Sequence, residues 1–288
     1  MSLHRFGVLA HPTRPQTAPV CEQIAESLRS RGFEAWHFTR WTEDEVTAKI
    51  EADGAPDLII AIGGDGAMLR AGRACSFCGV PVLGVNMGRL GFLTEIAPDE
   101  WSRALDTLLA GQYWIESRMM IQVAAQRGGE TLISSDALND AVISRGAELG
   151  LVQVMAYIDG GWTTTYTADA LIIATPTGST AYALACGGPI LPPELRNILL
   201  VPVAPHLSLD RPIVLPEGAA VEIVVAEEQQ TELFLAVDGI KLCDLQAGDR
   251  LQVKASDYTS RFVRLREKTY FYRSLLDRLE PRISSEPR

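Results

Sequence analysis

The stretch Leu58-Ile-Ile-Ala-Ile-Gly-Gly-Asp-Gly-Ala-Met-Leu-Arg70 decides how this chain is read. An unbroken apolar run ends in Gly63-Gly64-Asp65-Gly66, and a segment of helical character follows. The run is short and β-rich enough for a buried strand. Three glycines let the backbone turn sharply and let a ligand approach without interference from a Cβ. The N–H groups of such a loop, and of the helix start behind it, favour anions such as phosphate. A carboxylate there repels phosphate unless it holds a metal or takes a proton from an attacking hydroxyl, and both roles belong to phosphoryl transfer. The plainer reading is a strand-to-helix turn with Asp65 as N-cap. There is no Gly-x4-Gly-Lys-Ser/Thr, and no Gly-x-Gly-x-x-Gly follows a strand here, so a Walker loop and an ordinary dinucleotide fingerprint do not account for the stretch.

Around this stretch, residues up to about 115 alternate strand-like and helix-like pieces. Arg5–Ala10 reads as a first strand. Val20, Ile24 and Leu28 recur at helical spacing before Gly32, Val82–Val85 reads as a third strand, and Trp101–Leu109 as a helix ended by Gly111. Such alternation predicts a parallel sheet with helices on its faces. Its ligands lie beyond the strand C-termini, where Asp65 falls. After about residue 118 short β-like runs dominate: Met120–Ala124, Leu151–Ile158, Ile213–Leu215, Val221–Val225, Leu233–Val237 and Arg250–Lys254. Turn signals such as Asp159-Gly-Gly161 and Asp238-Gly239 separate them, which predicts a mainly β second domain. The reading is therefore an α/β domain over 1–118, a mainly β domain over 119–267, and a helix over 268–288 that packs back on the first. The end from Ser284 is expected to be frayed.

A second constellation is Leu171-Ile-Ile-Ala-Thr-Pro-Thr-Gly-Ser-Thr-Ala-Tyr-Ala-Leu-Ala185. A buried strand meets a hydroxyl-rich turn, and an Ala-rich helix is expected behind it. Thr175, Thr177, Ser179 and Thr180 would crowd hydroxyls and N–H groups at the helix start, suited to ligand oxygens, ring nitrogens or phosphate. Asp169 upstream can accept from an exocyclic amine, and Tyr182 downstream can stack on a base. The alternative is a well-capped helix without a ligand. On spacing alone Asn139-Asp140 is a plain Asx turn at a strand start, and Asp238-Gly239 a type I′ hairpin turn.

Composition narrows the classes. With 288 residues the chain can bury two cores, and 47% hydrophobic with 22% charged residues is a soluble, globular balance. A net charge of −10 argues against nucleic acid or an anionic membrane as the main partner. Five cysteines and four histidines form no complete metal-ligand spacing, so reduced thiols are the simpler expectation and no protein metal site is assigned. No signal peptide or membrane span is visible. The apolar stretch near Ile198–Pro205 is short and broken by proline.

Taken in order, the motifs resemble the NAD kinase family. The pieces are Gly63-Gly-Asp-Gly66, Asn86-x-Gly-Arg-Leu-Gly-Phe-Leu-Thr-Glu95, Leu138-Asn-Asp140, Ala168-Asp169, Thr175-Pro-Thr-Gly-Ser-Thr-Ala-Tyr182, Gly187-Gly-Pro-Ile190 and His206-Leu-Ser-x-x-Arg-Pro-Ile-Val-Leu-Pro216. Gly-Gly-Asp-Gly alone is shared with phosphofructokinases and lipid kinases; the Thr175–Tyr182 block is far more specific. The resemblance implies a Rossmann-like α/β domain followed by a mainly β domain. It implies ATP- and Mg²⁺-dependent phosphorylation of the adenosine ribose 2′-hydroxyl of NAD⁺, in a cytoplasmic homo-oligomer, dimeric or tetrameric. Asp65 would be the base. Gly63, Gly64 and Gly66 would admit phosphates and ribose, and Arg70 would meet a phosphate. Asn139 and Asp140 would contact NAD, Asp169 would read an amine, and Thr177, Ser179, Thr180, Ala181, Tyr182 and Ala185 would line the nucleotide site. The chain departs from the family pattern at Ala67, Asp140, Thr167, Ala170 and Ile240. Two other readings compete: a lipid or sugar kinase, expected to lack the Thr175–Tyr182 block, and a nucleotide-binding regulator that would not need Asp65.

Overall fold

The computed structural model describes residues 3–88, 91–146, 150–206 and 208–279. Arg89, Leu90 and Leu207 of the motifs lie outside the described residues, as do 280–288 of the expected last helix, including the stretch from Ser284. The chain divides into two compact units, one running up to Glu116 and resuming at Arg261, the other spanning Ser117–Ser260.

In the first unit, strands β1 (Arg5–Leu9), β2 (Glu34–Phe38), β3 (Leu58–Ile62) and β4 (Val82–Val85) alternate with helices α1 (Ala18–Ser30), α2 (Glu43–Asp53) and α3 (Asp65–Ser76), and α4 (Trp101–Leu109) follows. The strands lie in the order β2-β1-β3-β4, all parallel. Every residue of β3 is buried because both sheet faces are covered. Leu58, Ile60 and Ile62 join one core with Ile24, Leu28, Leu105 and Leu108, while α3 lies against β3 and β4. This is why the run is unbroken rather than alternating. Periodicity passes over two elements here. Strand β2 is a half-exposed edge without an apolar run. Helix α2 is announced instead by its capping box, in which Thr42 and Glu45 satisfy each other's backbone N–H groups.

The second unit is a pair of antiparallel sheets. Its long strand β5 (Trp114–Arg127) enters from the first unit and pairs with β6 (Glu130–Ala137). Then come β7 (Asp140–Arg145), β8 (Val152–Ile158), β9 (Gly161–Ala168), β10 (Ala170–Ala174), the short helix α5 (Tyr182–Ala185), β11 (Asn197–Val203), β12 (Ile213–Pro216), β13 (Val221–Val225), β14 (Leu233–Val237) and β15 (Ile240–Leu245). Strand β16 (Arg250–Arg264) returns to the first unit, where α6 (Tyr270–Leu279) follows. One sheet has the order β12-β11-β10-β7-β14-β15. The facing strands β9, β8, β13 and β16 pair antiparallel in sequence. Leu171 and Ile173 of β10 point into the core between the sheets. Ile172 and Ala174 point outward, under Ala183, Leu191, Leu199 and Val201. An antiparallel strand thus carries an unbroken apolar run because α5 and its flanking turns cover its outer face. Among the described residues no helix is long and apolar enough to cross a membrane.

Candidate active site

Strand β3 ends at Ile62 and α3 begins at Asp65, so Gly63 and Gly64 make the turn between them. Gly63 has φ +154°, and a Cβ there would stand 2.7 Å from Ala67 Cβ and 2.9 Å from His11 Cδ2. A Cβ on Gly64 or Gly66 would meet nothing within 4 Å, so both face open space. Asp65 does not cap its helix: Gly64 holds the N-cap position, and no side-chain capping bond forms. Asp65 is therefore not the N-cap, because its carboxylate is taken up by backbone N–H groups of another segment. The carboxylate turns to the backbone of 92–94, where Oδ2 accepts from Phe92 N–H at 2.8 Å and Oδ1 from Leu93 and Thr94 N–H at 3.1 and 3.2 Å. Gly91 makes this wrap possible: a Cβ there would lie 1.7 Å from Asp65 Oδ1. Gly91 N–H donates to the buried Thr94 hydroxyl at 2.6 Å, which closes the strap around the carboxylate.

His11, which the motif reading leaves aside, stands at the same corner. It follows β1, the parallel neighbour of β3, so the two strand ends are side by side. Thr13 N–H donates to its Nδ1 at 3.2 Å, so the neutral ring carries its proton on Nε2. Burial, then Arg14 and Arg70, hold its pKa below the usual histidine range. Arg70 is exposed.

In the second unit, β7 lies between β10 and β14, so the start of β7 meets the ends of both neighbours: Asp140 pairs with Ala174, and Ala141 with Val237. The Asp238-Gly239 turn has φ 48° and 79°, the expected I′ geometry. Its carboxylate has a second task that turn statistics do not reveal. It accepts from Leu138, Asn139 and Asp140 N–H at 2.9, 2.7 and 3.1 Å. From the other side Thr175 N–H donates to Asn139 O at 2.8 Å, and the Thr175 hydroxyl donates to Leu138 O at 2.5 Å. The Asn139-Asp140 peptide is thus clamped between two turns rather than forming a free Asx turn. Asp140 is 6% exposed. Burial, then the charge of Asp238, pushes its carboxyl up to about 7. The half-exposed Tyr182 phenol is pushed up by burial and by Cys186, and also feels Asp169 and Asp140. Asp140, level with Ala174, and Asp169, just before Ala170, thus stand at opposite ends of the β7–β10 pair, and the Tyr182 phenol feels both.

The Ala-rich helix is shorter than expected. A single 3-10 turn (Gly178–Thr180) precedes the four residues of α5, because Gly187 (φ +79°) reverses the chain and Gly188 N–H caps Ala183 O at 2.8 Å. Nor are the hydroxyls and N–H groups before it presented outward. Ser179 is fully buried; its hydroxyl donates to Pro176 O at 2.6 Å and accepts from Leu191 N–H at 3.0 Å. Thr177 accepts from the buried Arg118 Nη1 at 3.2 Å. Thr180 donates to Thr177 O at 3.0 Å, and the N–H groups of Gly178, Ser179, Thr180 and Ala181 all find partners within the turn. The turn is a rigid wedge on Asn139: a Cβ on Gly178 would lie 2.1 Å from Asn139 O. The exposed edge is Tyr182 and Ala185, with Thr180 and Ala181 half-exposed.

Known proteins carry the same arrangement of sequence. A family model described as the ATP-NAD kinase N-terminal domain matches residues 20–113, and one described as the C-terminal domain matches residues 138–265. The NAD kinase of Moorella thermoacetica is 38% identical over 280 residues, covering 93% of this chain and 87% of that protein. The NAD kinase of Geobacter metallireducens is 39% identical over 273 residues, covering 93% and 96%. The chain belongs to the NAD kinase family. It is an enzyme, a phosphotransferase of the NAD kinase type. The fold is shared with yeast NADH kinase complexed with NADH (TM-score 0.84, 24% identity, covering 100% of this chain and 89% of that one). It is also shared with an Archaeoglobus fulgidus NAD kinase in complex with ATP (TM-score 0.73, 23% identity, covering 94% and 97%). Thr167 is one of the positions at which the chain departs from the pattern of the family it resembles. Here Arg145, on the strand beside Asp169, places its Nε 3.7 Å from Asp169 Oδ1.

Proposed function

We propose that this enzyme transfers the γ-phosphoryl group of ATP to the 2′-hydroxyl of the adenosine ribose of NAD⁺, giving NADP⁺, with Asp65 orienting and deprotonating that hydroxyl. The observation that carries the assignment of Asp65 is its carboxylate, held by three backbone N–H groups beside an open glycine loop. Phosphoryl transfer asks for positioning and charge neutralisation more than covalent work, and a fixed carboxylate answers the first need. Gly64 and Gly66 give the phosphates and ribose room, Gly63, boxed in by Ala67 and His11, makes the turn that presents them, and the exposed Arg70 meets a phosphate. Asn139 and Asp140 contact NAD, Asp169 accepts from an amine of the ligand, and Thr180, Ala181, Tyr182 and Ala185 line its base. Thr177 and Ser179 hold the turn that carries them. Two proteins of the same fold were captured with NADH and with ATP, the two ligand classes that such a reaction joins.

Mg²⁺ neutralises phosphate charge in such reactions. Among the described residues no three His, Cys, Asp or Glu gather around a point. Mg²⁺ in kinase sites is commonly held by substrate phosphates, water and one or two carboxylates, a donor set that needs no such cluster. A cytoplasmic homo-oligomer, dimer or tetramer, completes the proposal. The test of the chemistry is NADP⁺ formation from purified protein, NAD⁺, ATP and Mg²⁺, read by a strictly NADP⁺-dependent dehydrogenase. Signal that needs all three additions and falls at least about 100-fold in Asp65→Asn, with NAD binding retained by calorimetry, is the expected result. Near-parental turnover in that variant refutes the base, and no product with either ATP or polyphosphate refutes the kinase.

A further inference from the structure

The strap that holds Asp65 is itself held from behind. Its N–H groups at 92, 93 and 94 go to the carboxylate, and its carbonyls go the other way. Arg264 Nη2 donates to Phe92 O at 2.9 Å, Arg264 Nη1 to Leu93 O at 3.1 Å, and Arg266 Nη2 to Thr94 O at 3.0 Å. Three consecutive peptides are thus pinned between one carboxylate and two guanidinium groups. A strap fixed on both edges cannot rotate its N–H groups away from Asp65 without breaking bonds on the other side.

Arg264 is fully buried, a state that requires partners on every donor. Glu116 Oε2 accepts from its Nε at 2.9 Å and its Nη2 at 2.6 Å, and Glu95 Oε2 accepts from its Nη1 at 3.2 Å. The other Glu95 oxygen accepts from Leu265 and Arg266 N–H at 2.9 and 2.7 Å. The cluster carries two guanidinium groups and two carboxylates, so its formal charges cancel. Tyr270, 4% exposed, joins the cluster from the start of α6. The Tyr270 hydroxyl donates to Glu116, 2.8 and 3.0 Å from its two oxygens. Its ring lies 4.5 Å from Arg264 and 4.8 Å from Arg266. The next residue, Phe271, packs its ring on Phe92 of the strap, 5.8 Å between centroids.

We propose that Tyr270 and Phe271 make the C-terminal segment a strut for the Asp65 strap, so that Tyr270 is a positioning residue for the phosphoryl transfer, acting through Glu116, Arg264 and the backbone of 92–94. This rests on the reading of Asp65 as the base. It assigns a task to a part of the chain that lies beyond every motif quoted above.

The test is Tyr270→Phe in the full-length protein, which keeps the ring over both arginines and removes only the hydroxyl. The turnover number is expected to fall about ten-fold, with the KM values for NAD⁺ and ATP within about two-fold, because orientation rather than binding is lost. Amide hydrogen exchange in 91–95 is expected to quicken about ten-fold, while β3 amides are unchanged. In an Asp65→Asn background the same substitution is expected to cause no further loss of residual turnover. Unchanged exchange in 91–95 overturns the strut. So does an equal loss of turnover in both backgrounds, which would place the effect elsewhere. Phe271→Leu, which thins the packing on Phe92 without touching the charges, is expected to quicken the same amides; unaltered exchange there removes Phe271 from the device. Parental turnover in Asp65→Asn alone refutes the base and not the strut, because loop exchange reports the strut without reference to turnover.

Discussion

Asp140→Asn tests the electrostatics of the candidate site most sharply. Asp140 is 6% exposed and lies beside Asp238. Its carboxyl, ordinarily near 3.8, is pushed up to about 7, first by burial and then by the Asp238 charge. An unfolded chain releases this proton near the ordinary value, whereas the folded chain keeps it to about 7. Between those limits the folded state binds more protons, so stability falls as pH rises through the window, and the full penalty is present above it. A displacement of about three units corresponds to roughly 4 kcal/mol at about 1.4 kcal/mol per unit. Relaxation around an ionised Asp140 makes this an upper bound. Asparagine keeps the shape and has no charge at any pH. Urea unfolding of parent and variant is the assay, at a series of pH values from about 4 to about 8. The difference in unfolding free energy is expected to be near zero at the acid end. It should grow to several kcal/mol in favour of Asp140→Asn by the alkaline end. Two curves that stay parallel across the window would falsify the claim that Asp140 is buried against a second carboxylate.

Three further outcomes follow from the geometry. Tyr182→Ala is expected to raise the KM for NAD⁺ about ten-fold, the worth of one stacked ring, and the KM for ATP less; equal NAD⁺ KM values in variant and parent count against stacking. Gly91→Ala places a Cβ 1.7 Å from Asp65 Oδ1, so the carboxylate must leave its cradle. Turnover should drop at least about 100-fold for about 2 kcal/mol of stability, and a crystal structure of the variant with Asp65 still on 92–94 would refute this. Among the described residues the buried Tyr166 hydroxyl has no hydrogen-bond partner from the protein. Tyr166→Phe is therefore expected to raise stability by about 1 kcal/mol, and a thermal midpoint lower than the parent's contradicts it.

Much of the architecture can be read from the chain because it rests on local regularities. The run Leu58–Ile62 before glycines says buried strand and turn, and Leu171–Ala174 before Thr-Pro-Thr-Gly says the same of the second unit. Edge strand β2 escapes because a half-exposed strand carries no apolar run. The long strands β5 and β16 are read too short, as Met120–Ala124 and Arg250–Lys254, because burial does not alternate regularly along their whole length. In the Thr175–Tyr182 block the residue types are legible and their directions are not. Side-chain hydroxyls at 177 and 179 point inward because Arg118 and Leu191, remote in sequence, supply their partners.

The sequence by itself determined that a carboxylate sits in a glycine turn at the end of a buried strand, and that a hydroxyl-rich turn follows another. It also determined the family, since those motifs recur in a fixed order. Only the tertiary structure decided what the carboxylates do. Asp65 and Asp238 look like a helix cap and a hairpin turn, and each grips three consecutive N–H groups of a distant segment, 92–94 in one unit and 138–140 in the other. Backbone N–H groups are present at every residue except proline, so no pattern of side chains marks which of them a carboxylate will reach. His11 beside Gly63, Asp140 driven up by Asp238, and Arg264 behind the Asp65 strap are likewise products of strand adjacency and burial, which arise only when the chain closes on itself.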